Sequence, residues 1–379
     1  MLYMLRTRPK TLYRSAIASL SVIVVVTGIF MLYSGRGSSD RYPEVIENGL
    51  FGGENLELDT ESDFYRIDTY DELDNLGMFW RVPTINAFHS VVPASIMEYY
   101  DFLGIDRGVG SRPEPQYAGV RGLLSVRYLF SNDSEPELPA GFEPIGEQNG
   151  YTVYENQHTV PMGFSYDYAV TTQTLDDYHC SSRDRLMLRA LILDEADYAK
   201  VSDLLMTLGE DEITVGDYSD EAYFADCDTR AAQSVDAFTY DSYGFSAVTS
   251  YDTDRVVFFS VPHEAGWSAT VNGEKAEILK ANLGFMAVRV PKGDAVIEFK
   301  YETPGLNAGI LISILAVLLL IVYLLIAKQL VKRGILAPHV RYLHTYRGEK
   351  MPKITAHDAY MAYLSRPKTP QEPEEKGEN

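Results

Sequence analysis

Cysteine is nearly absent from this 379-residue chain: Cys180 and Cys227 stand alone, and no C-x2-C pair occurs. That excludes a disulfide-built scaffold and a structural zinc knuckle. His179 beside Cys180, and Asp226 and Asp228 around Cys227, lack metal-ligand spacing, and the other histidines are scattered without an H-E-x-x-H helix. No metal is assigned. Gly-x-Ser-x-Gly, Gly-x-Gly-x-x-Gly and P-loop patterns are also missing, so no catalytic motif and no cofactor is implied. Positive charge is scarce where it would count for nucleic acid. Residues 35–304 carry 19 Lys and Arg against 48 Asp and Glu, a net of −29, which repels phosphate backbones.

Charge of either sign is missing from two long runs, Ser15 to Gly35 and Leu306 to Ala327. The second has 22 residues; at about 1.5 Å each they span the roughly 30 Å hydrocarbon core of a bilayer. The first follows Arg6, Arg8, Lys10 and Arg14, as a signal peptide would. Ala16 to Tyr33 is nevertheless longer than a signal core, and no clean small-x-small site follows, so it reads as a retained span. Lys328, Lys332 and Arg333 follow the second run. Basic inner flanks predict a two-pass protein with both termini cytoplasmic and a large domain outside.

The pattern between the spans predicts an α+β fold: two transmembrane helices (15–35 and 305–327) bracketing an extracytoplasmic α/β unit (36–234) and a β-sandwich-like unit (235–304). A basic cytoplasmic N-terminus (1–14) and a partly disordered cytoplasmic tail (328–379) complete the division. Arg255 to Val261 is apolar on both faces, as a strand covered on both sides would be. Trp267 to Val271 meets Asn272-Gly273, the strongest short hairpin signal, because both turn positions need positive φ. Phe285 to Val290 reads as a strand, and Ile297, Phe299 and Tyr301 share one face of another. Upstream, Phe64 to Tyr70, Leu124 to Phe130 and Tyr151 to Glu155 read as strands. Ser95 with Glu98 has capping-box spacing for a helix closed by Gly104. Helices are also expected at Arg183 to Ala190 and Tyr198 to Leu208.

VVFFSVPHEAGWSATVNGEKAEILKANLGFMAVRVPKG, the closing YETPGL and the following helix resemble the C-terminal end of the YfhO family of bacterial membrane proteins. YTVYENQHTVPMGFSYDYAV with RLMLRALIL, and YDFLGI with LLSVRYLF, resemble the same family, so the likeness runs from about residue 15 to about 327. The resemblance implies a glycosyltransferase-C-like system that moves sugar from a polyprenyl-phosphate carrier onto cell-envelope polymers such as lipoteichoic acid. The family's many-helix N-terminal bundle, with its acidic catalytic loop, is not found in these residues. The expectation is therefore a C-terminal portion, fragment or half of a split system, that does not catalyse alone and works with a polytopic membrane partner. The alternative is a stand-alone, membrane-anchored module that binds cell-wall glycopolymer.

Several residues are candidates on chemical grounds. Trp80 with Arg81, Tyr166 with Asp167, and Trp267 pair flat apolar rings with polar groups, the combination that stacks and orients sugar rings. A tryptophan opening a hairpin also serves as core, which is the stronger reading for Trp267. Gly305, Gly309, Ser313 and Ala316 form a small-residue ridge on the second span, of the kind that admits another helix. Bridged, Cys180 and Cys227 would close a loop of about 48 residues and stabilise by roughly 4 kcal/mol; two unpaired, half-buried thiols are equally compatible with the sequence.

Overall fold

The computed structural model describes residues 9–39, 47, 49, 51–58, 64–69, 75–110 and 112–335. Residues 336–379 of the expected cytoplasmic tail (328–379), residues 1–8 of the basic N-terminus, and Tyr70 at the end of the first expected strand lie outside these residues. The start of that tail, to Lys332, continues the apolar helix of the second predicted span. The chain divides into two compact units, Met1–Pro304 and Gly305–Asn379.

In the second unit the described structure is one helix, Leu306–Lys332, with no buried residue. Gly305 precedes it as the N-cap at φ +79°, a left-handed conformation that glycine adopts without the Cβ penalty. In the first unit a second long apolar helix, Pro9–Ser39, occupies the predicted N-terminal span. Tyr13–Arg36 within it and Leu306–Lys332 are both long and apolar enough to cross a membrane.

The rest of the first unit is built on three sheets. Strands β1 (Arg66–Asp68), β2 (Val126–Ser131), β3 (Phe142–Gln148) and β4 (Tyr151–Asn156) form a four-stranded sheet in the order β1-β2-β4-β3. Further along come β5 (Phe164–Ser165), β6 (Tyr168–Thr171), β7 (Leu191–Leu193) and β8 (Met206–Thr207), then β9 (Ala237–Tyr240), β10 (Gly244–Tyr251) and β11 (Arg255–Phe259). The last five strands are β12 (Trp267–Val271), β13 (Glu274–Ala276), β14 (Leu279–Ala281), β15 (Phe285–Val290) and β16 (Gly293–Tyr301). Five of these make a sheet in the order β13-β12-β16-β10-β9, and seven make another in the order β5-β11-β15-β14-β7-β6-β8. The mixed α+β architecture read from the sequence is the one observed.

The predicted boundary near residue 235 is not a domain boundary. Strand β5 pairs with β11, and β7 pairs with β14, so one sheet joins residues from both sides of it. The physical reason lies in β11. Val256 and Phe258 point into one core with Leu191, Ile192 and Tyr166, while Val257 and Phe259 point into another with Phe245, Ile297 and Phe299. A strand apolar on both faces needs a partner layer on each side, and the two expected units supply one layer apiece. The parallel part follows from chain order: β6 runs through two short helices, Thr172–Asp177 and Arg183–Arg189, to its parallel neighbour β7.

Local expectations fare unevenly. The Asn272-Gly273 turn is present at φ +52° and +79° between β12 and β13, and helix Ala94–Leu103 closes on Gly104 at φ +73°. Its capping box is absent, because the helix starts two residues earlier. Pro93 holds the N-cap position with no side-chain bond, and Ser95, inside the helix, has a buried hydroxyl without a partner among the described residues. The helix expected over 198–208 is displaced to Glu195–Ala199, where the Asp194 carboxylate accepts from the Asp197 N–H as a true N-cap.

Candidate functional site

Of the carbohydrate-binding candidates, Trp267 lines an aromatic cleft of about 310 Å³. Cross-strand register assembles it. Trp267 opens β12 directly opposite Tyr301 on β16, and Phe245 on β10 stands opposite both Phe299 on β16 and Tyr240 on β9. The turn between β9 and β10 is fixed by Asp241, whose carboxylate accepts from the N–H groups of Tyr243 (2.7 Å) and Gly244 (2.9 Å). A Cβ on Gly244 would lie 1.9 Å from the Phe299 carbonyl oxygen, so only glycine lets the turn approach β16 this closely. That approach carries Tyr243 to the rim.

The Trp267 ring meets Tyr301 edge-on at 5.1 Å and Phe245 at 5.5 Å. Phe64 meets Tyr240 and Phe238, each at 5.3 Å. The Arg66 guanidinium lies 5.0 Å over the Phe64 ring, and Tyr301 donates its hydroxyl to Glu264 (2.9 Å), which raises the phenol's pKa. Two rings are left largely open: Tyr243 is 75% exposed and Tyr240 is 59% exposed. The cleft thus offers an aromatic wall, open tyrosine faces, one guanidinium and one turn carboxylate. That is chemistry for stacking and orienting a polyol rather than for breaking its bonds.

The other candidates lie elsewhere. Trp80 is buried in the core of the four-stranded sheet, edge-on to Phe130 (5.0 Å) and Tyr151 (5.6 Å), and its indole N–H donates to the Gly49 carbonyl at 2.7 Å. Neither ring face is available to a sugar, which corrects its assignment as a stacking residue. Arg81 is exposed at φ +58° at the end of helix Leu76–Trp80, apart from any described aromatic pair. Tyr166 is also core, 1% exposed, donating to the Met187 carbonyl (2.5 Å) and accepting from Asn282 (3.2 Å). Burial raises its pKa strongly, so it stays a neutral phenol, and it too is corrected from ligand to scaffold.

Asp167 next to it is half-buried and pairs with Arg255 and, at 3.5 Å, with Arg230, while Gln233 donates to it at 2.8 Å. Burial works to raise its pKa, but these bonds and the two arginines outweigh it and hold the carboxylate below its usual range. It ties β6 to β11.

Both cysteines are free and buried. Cys227 lies on helix Asp220–Ala232 against Gly122, and burial pushes its thiol up to about 12. Cys180 sits in a loop with its Sγ 3.5 Å from the Tyr218 hydroxyl. The bridge left open by the sequence is therefore not made; each thiol is packed among its own neighbours. Among the described residues no group of three or more His, Cys, Asp and Glu is placed to hold a metal ion. The expected helix ridge changes at one end, because Gly305 is the cap and not a helical residue. Gly309 has open space around its Cα, and Ser313 donates to the Gly309 carbonyl at 2.8 Å.

Sequence reasoning did not find Phe64, Tyr240, Tyr243 or Tyr301 as parts of one site. The turn Tyr240-Asp-Ser-Tyr-Gly244, aromatic on both shoulders of an Asx residue, was the available signal.

The family model described as "Bacterial membrane protein YfhO" matches residues 1–225 and 211–313. Among curated proteins, "Uncharacterized protein YfhO" of Bacillus subtilis (strain 168) is 32% identical over 71 residues, which are 19% of this chain and 8% of that protein. The matched stretch thus spans a small part of the relative's length. No solved structure matches. The family match runs through both apolar stretches' surroundings and the three sheets, and on it this chain belongs to the YfhO family of bacterial membrane proteins.

Proposed function

We propose that this chain is the extracytoplasmic, glycan-facing portion of a YfhO-type membrane system that places sugar from a polyprenyl-phosphate donor onto a cell-envelope polymer such as lipoteichoic acid. The observation that supports it most directly is the open aromatic cleft at Trp267, Tyr301, Tyr240 and Tyr243, which suits a cell-envelope glycopolymer held by ring stacking. Transfer also needs a general base or electrostatic clamp beside a lipid threaded among helices. The cleft's own carboxylate, Asp241, is occupied by two backbone N–H groups, and two apolar helices do not enclose a lipid tail. In this reading the chain positions the acceptor and does not transfer sugar alone, and a polytopic partner seats against Gly309, Ser313 and Ala316 within the bilayer.

The test uses the full chain in a non-ionic detergent with immobilised lipoteichoic acid and a polyprenyl-phosphate-linked sugar. The expected outcome is retention on the polymer, weakened by up to about tenfold by Tyr243→Ala, since an aromatic stacking contact is worth roughly 0.5–1.5 kcal/mol. No sugar transfer is expected. Turnover by the chain alone overturns the accessory role, and unchanged retention of Tyr243→Ala overturns the cleft as the contact.

A further inference from the structure

A second cavity, about 560 Å³, lies on the other side of Arg66 from the aromatic cleft. Its walls are mainly apolar, with Ile85, Val92, Ile96, Tyr100 and Phe285 among them, yet two arginines line it. Among the described residues Arg66 gives its guanidinium to neutral acceptors only: the Leu124 carbonyl (2.8 Å), the Ser260 hydroxyl (3.0 Å) and the Ser260 carbonyl (2.9 Å). Burial lowers its pKa to about 10, the direction expected for a cation without a counter-charge. Arg107 is 9% exposed, lies 5.6 Å over the Tyr100 ring and donates to the Gly108 carbonyl at 2.7 Å. Its Nε is buried and bonded to nothing among the described residues.

Neither guanidinium has a carboxylate partner among the described residues, although residues 35–304 hold 48 acids. Desolvating a cation without its counter-ion is expensive, and in this cavity Arg107 is buried and Arg66 half-buried. The one lining carboxylate, Glu264, already accepts from Tyr301, and His89 stands exposed at the rim. Guanidinium forks match the oxygens of a phosphate ester, and the apolar walls match a hydrocarbon body rather than a bare ion.

We propose that this cavity, lined by Arg66 and Arg107, is a binding site for an amphipathic phosphate ester, with the phosphate on the two guanidiniums and the apolar body along Ile96, Tyr100 and Phe285. The site goes beyond the glycan reading and does not rest on it. It is closed on one side by Arg66, so a phosphate there faces the same residue that underlies the aromatic cleft.

Titration calorimetry on the full chain in a non-ionic detergent, with hexyl phosphate, inorganic phosphate and hexyl glucoside as probes, tests it. Hexyl phosphate is expected to bind at least tenfold more tightly than either of the other two. Arg107→Gln, which removes the charge and leaves a shorter polar side chain, is expected to lose that binding at least tenfold. Ala87→Trp, which adds an indole to the cavity wall and replaces neither arginine, is expected to lose it equally, so a folding defect in one variant leaves the other informative. Equal affinity for hexyl glucoside overturns the anion site, and equal affinity for inorganic phosphate overturns the apolar contact. Absence of hexyl phosphate binding, or retained binding in both variants, overturns the site altogether.

Discussion

At the residue scale, the most constrained charge in the outer unit is Arg121. Both it and Asp68 have fully buried side chains, joined through Nε and Nη2 to one carboxylate oxygen at 3.0 Å. The remaining guanidinium donors reach the carbonyls of Pro113 (2.5 Å), Glu114 (2.5 Å) and Tyr117 (3.2 Å). One side chain thereby ties β1, the Pro113–Tyr117 loop and the helix Ala118–Leu123 together. Removing one member of such a pair strands the other as a buried charge, which costs more than the pair contributes. Asp68→Asn is expected to destabilise the unit by about 3–5 kcal/mol. Guanidinium unfolding of the detergent-solubilised chain, followed by the fluorescence of Trp80 and Trp267, measures it; a midpoint unchanged from wild type would show that the pair is not holding these elements. Nothing in the spacing of Asp68 and Arg121 foretells the contact, since 53 residues separate them. Trp80 and Tyr166 illustrate the same limit: an aromatic beside a polar residue describes a sugar platform and a core ring with its hydrogen-bond partner equally well, and only burial separates them.

At the element scale, what was legible depended on how local the determinants are. The hairpin at Asn272-Gly273, the strands Phe285–Val290 and Gly293–Tyr301 and the Gly104 helix stop are each set by a few neighbouring residues, and all appear. The helix Ala118–Leu123 was missed because Gly119 and Gly122 lower its propensity; both are there for packing, a Cβ on Gly119 falling 2.4 Å from the Asp184 carbonyl. The sheet that crosses residue 235 was invisible for the opposite reason: pairings such as Phe164 with Phe258 join segments far apart in the chain, and no local pattern encodes them. The helix Leu306–Lys332 is local again, and its small-residue face carries a prediction. Gly309 leaves open space that another helix backbone can occupy. Gly309→Leu is expected to weaken capture of a co-expressed many-helix YfhO-family partner by roughly 1–2 kcal/mol, an effect of the size seen when a bulky side chain overfills a packed interface. Quantitative co-purification reads this out, and full capture by the leucine variant removes the ridge from the interface.

At the scale of the whole molecule, charge is sorted along the chain in a way that folding alone does not require. Residues 1–34 carry four basic and no acidic residues, residues 35–304 carry a net of −29, and residues 305–379 carry 10 basic against 6 acidic. The two apolar helices stand at the joints between these blocks. Retaining Lys and Arg on the cytoplasmic side is the strongest known determinant of membrane orientation, and it is counted within about 15–20 residues of the span ends. Arg14 on one side, and Lys328, Lys332 and Arg333 on the other, fall inside that window. The aromatic cleft and the two-arginine cavity would then both face the envelope, where a glycopolymer is found. The native thiols make this directly measurable, because Cys180 and Cys227 are buried and Cys227 titrates only near 12, leaving little thiolate to react. A single introduced cysteine therefore reports against a low background. Glu147→Cys, on the exposed strand β3, is expected to react with a membrane-impermeant maleimide in intact spheroplasts, and Arg333→Cys only after permeabilisation. The reverse pattern would place the acidic block in the cytoplasm and, with it, take the cleft away from the cell envelope.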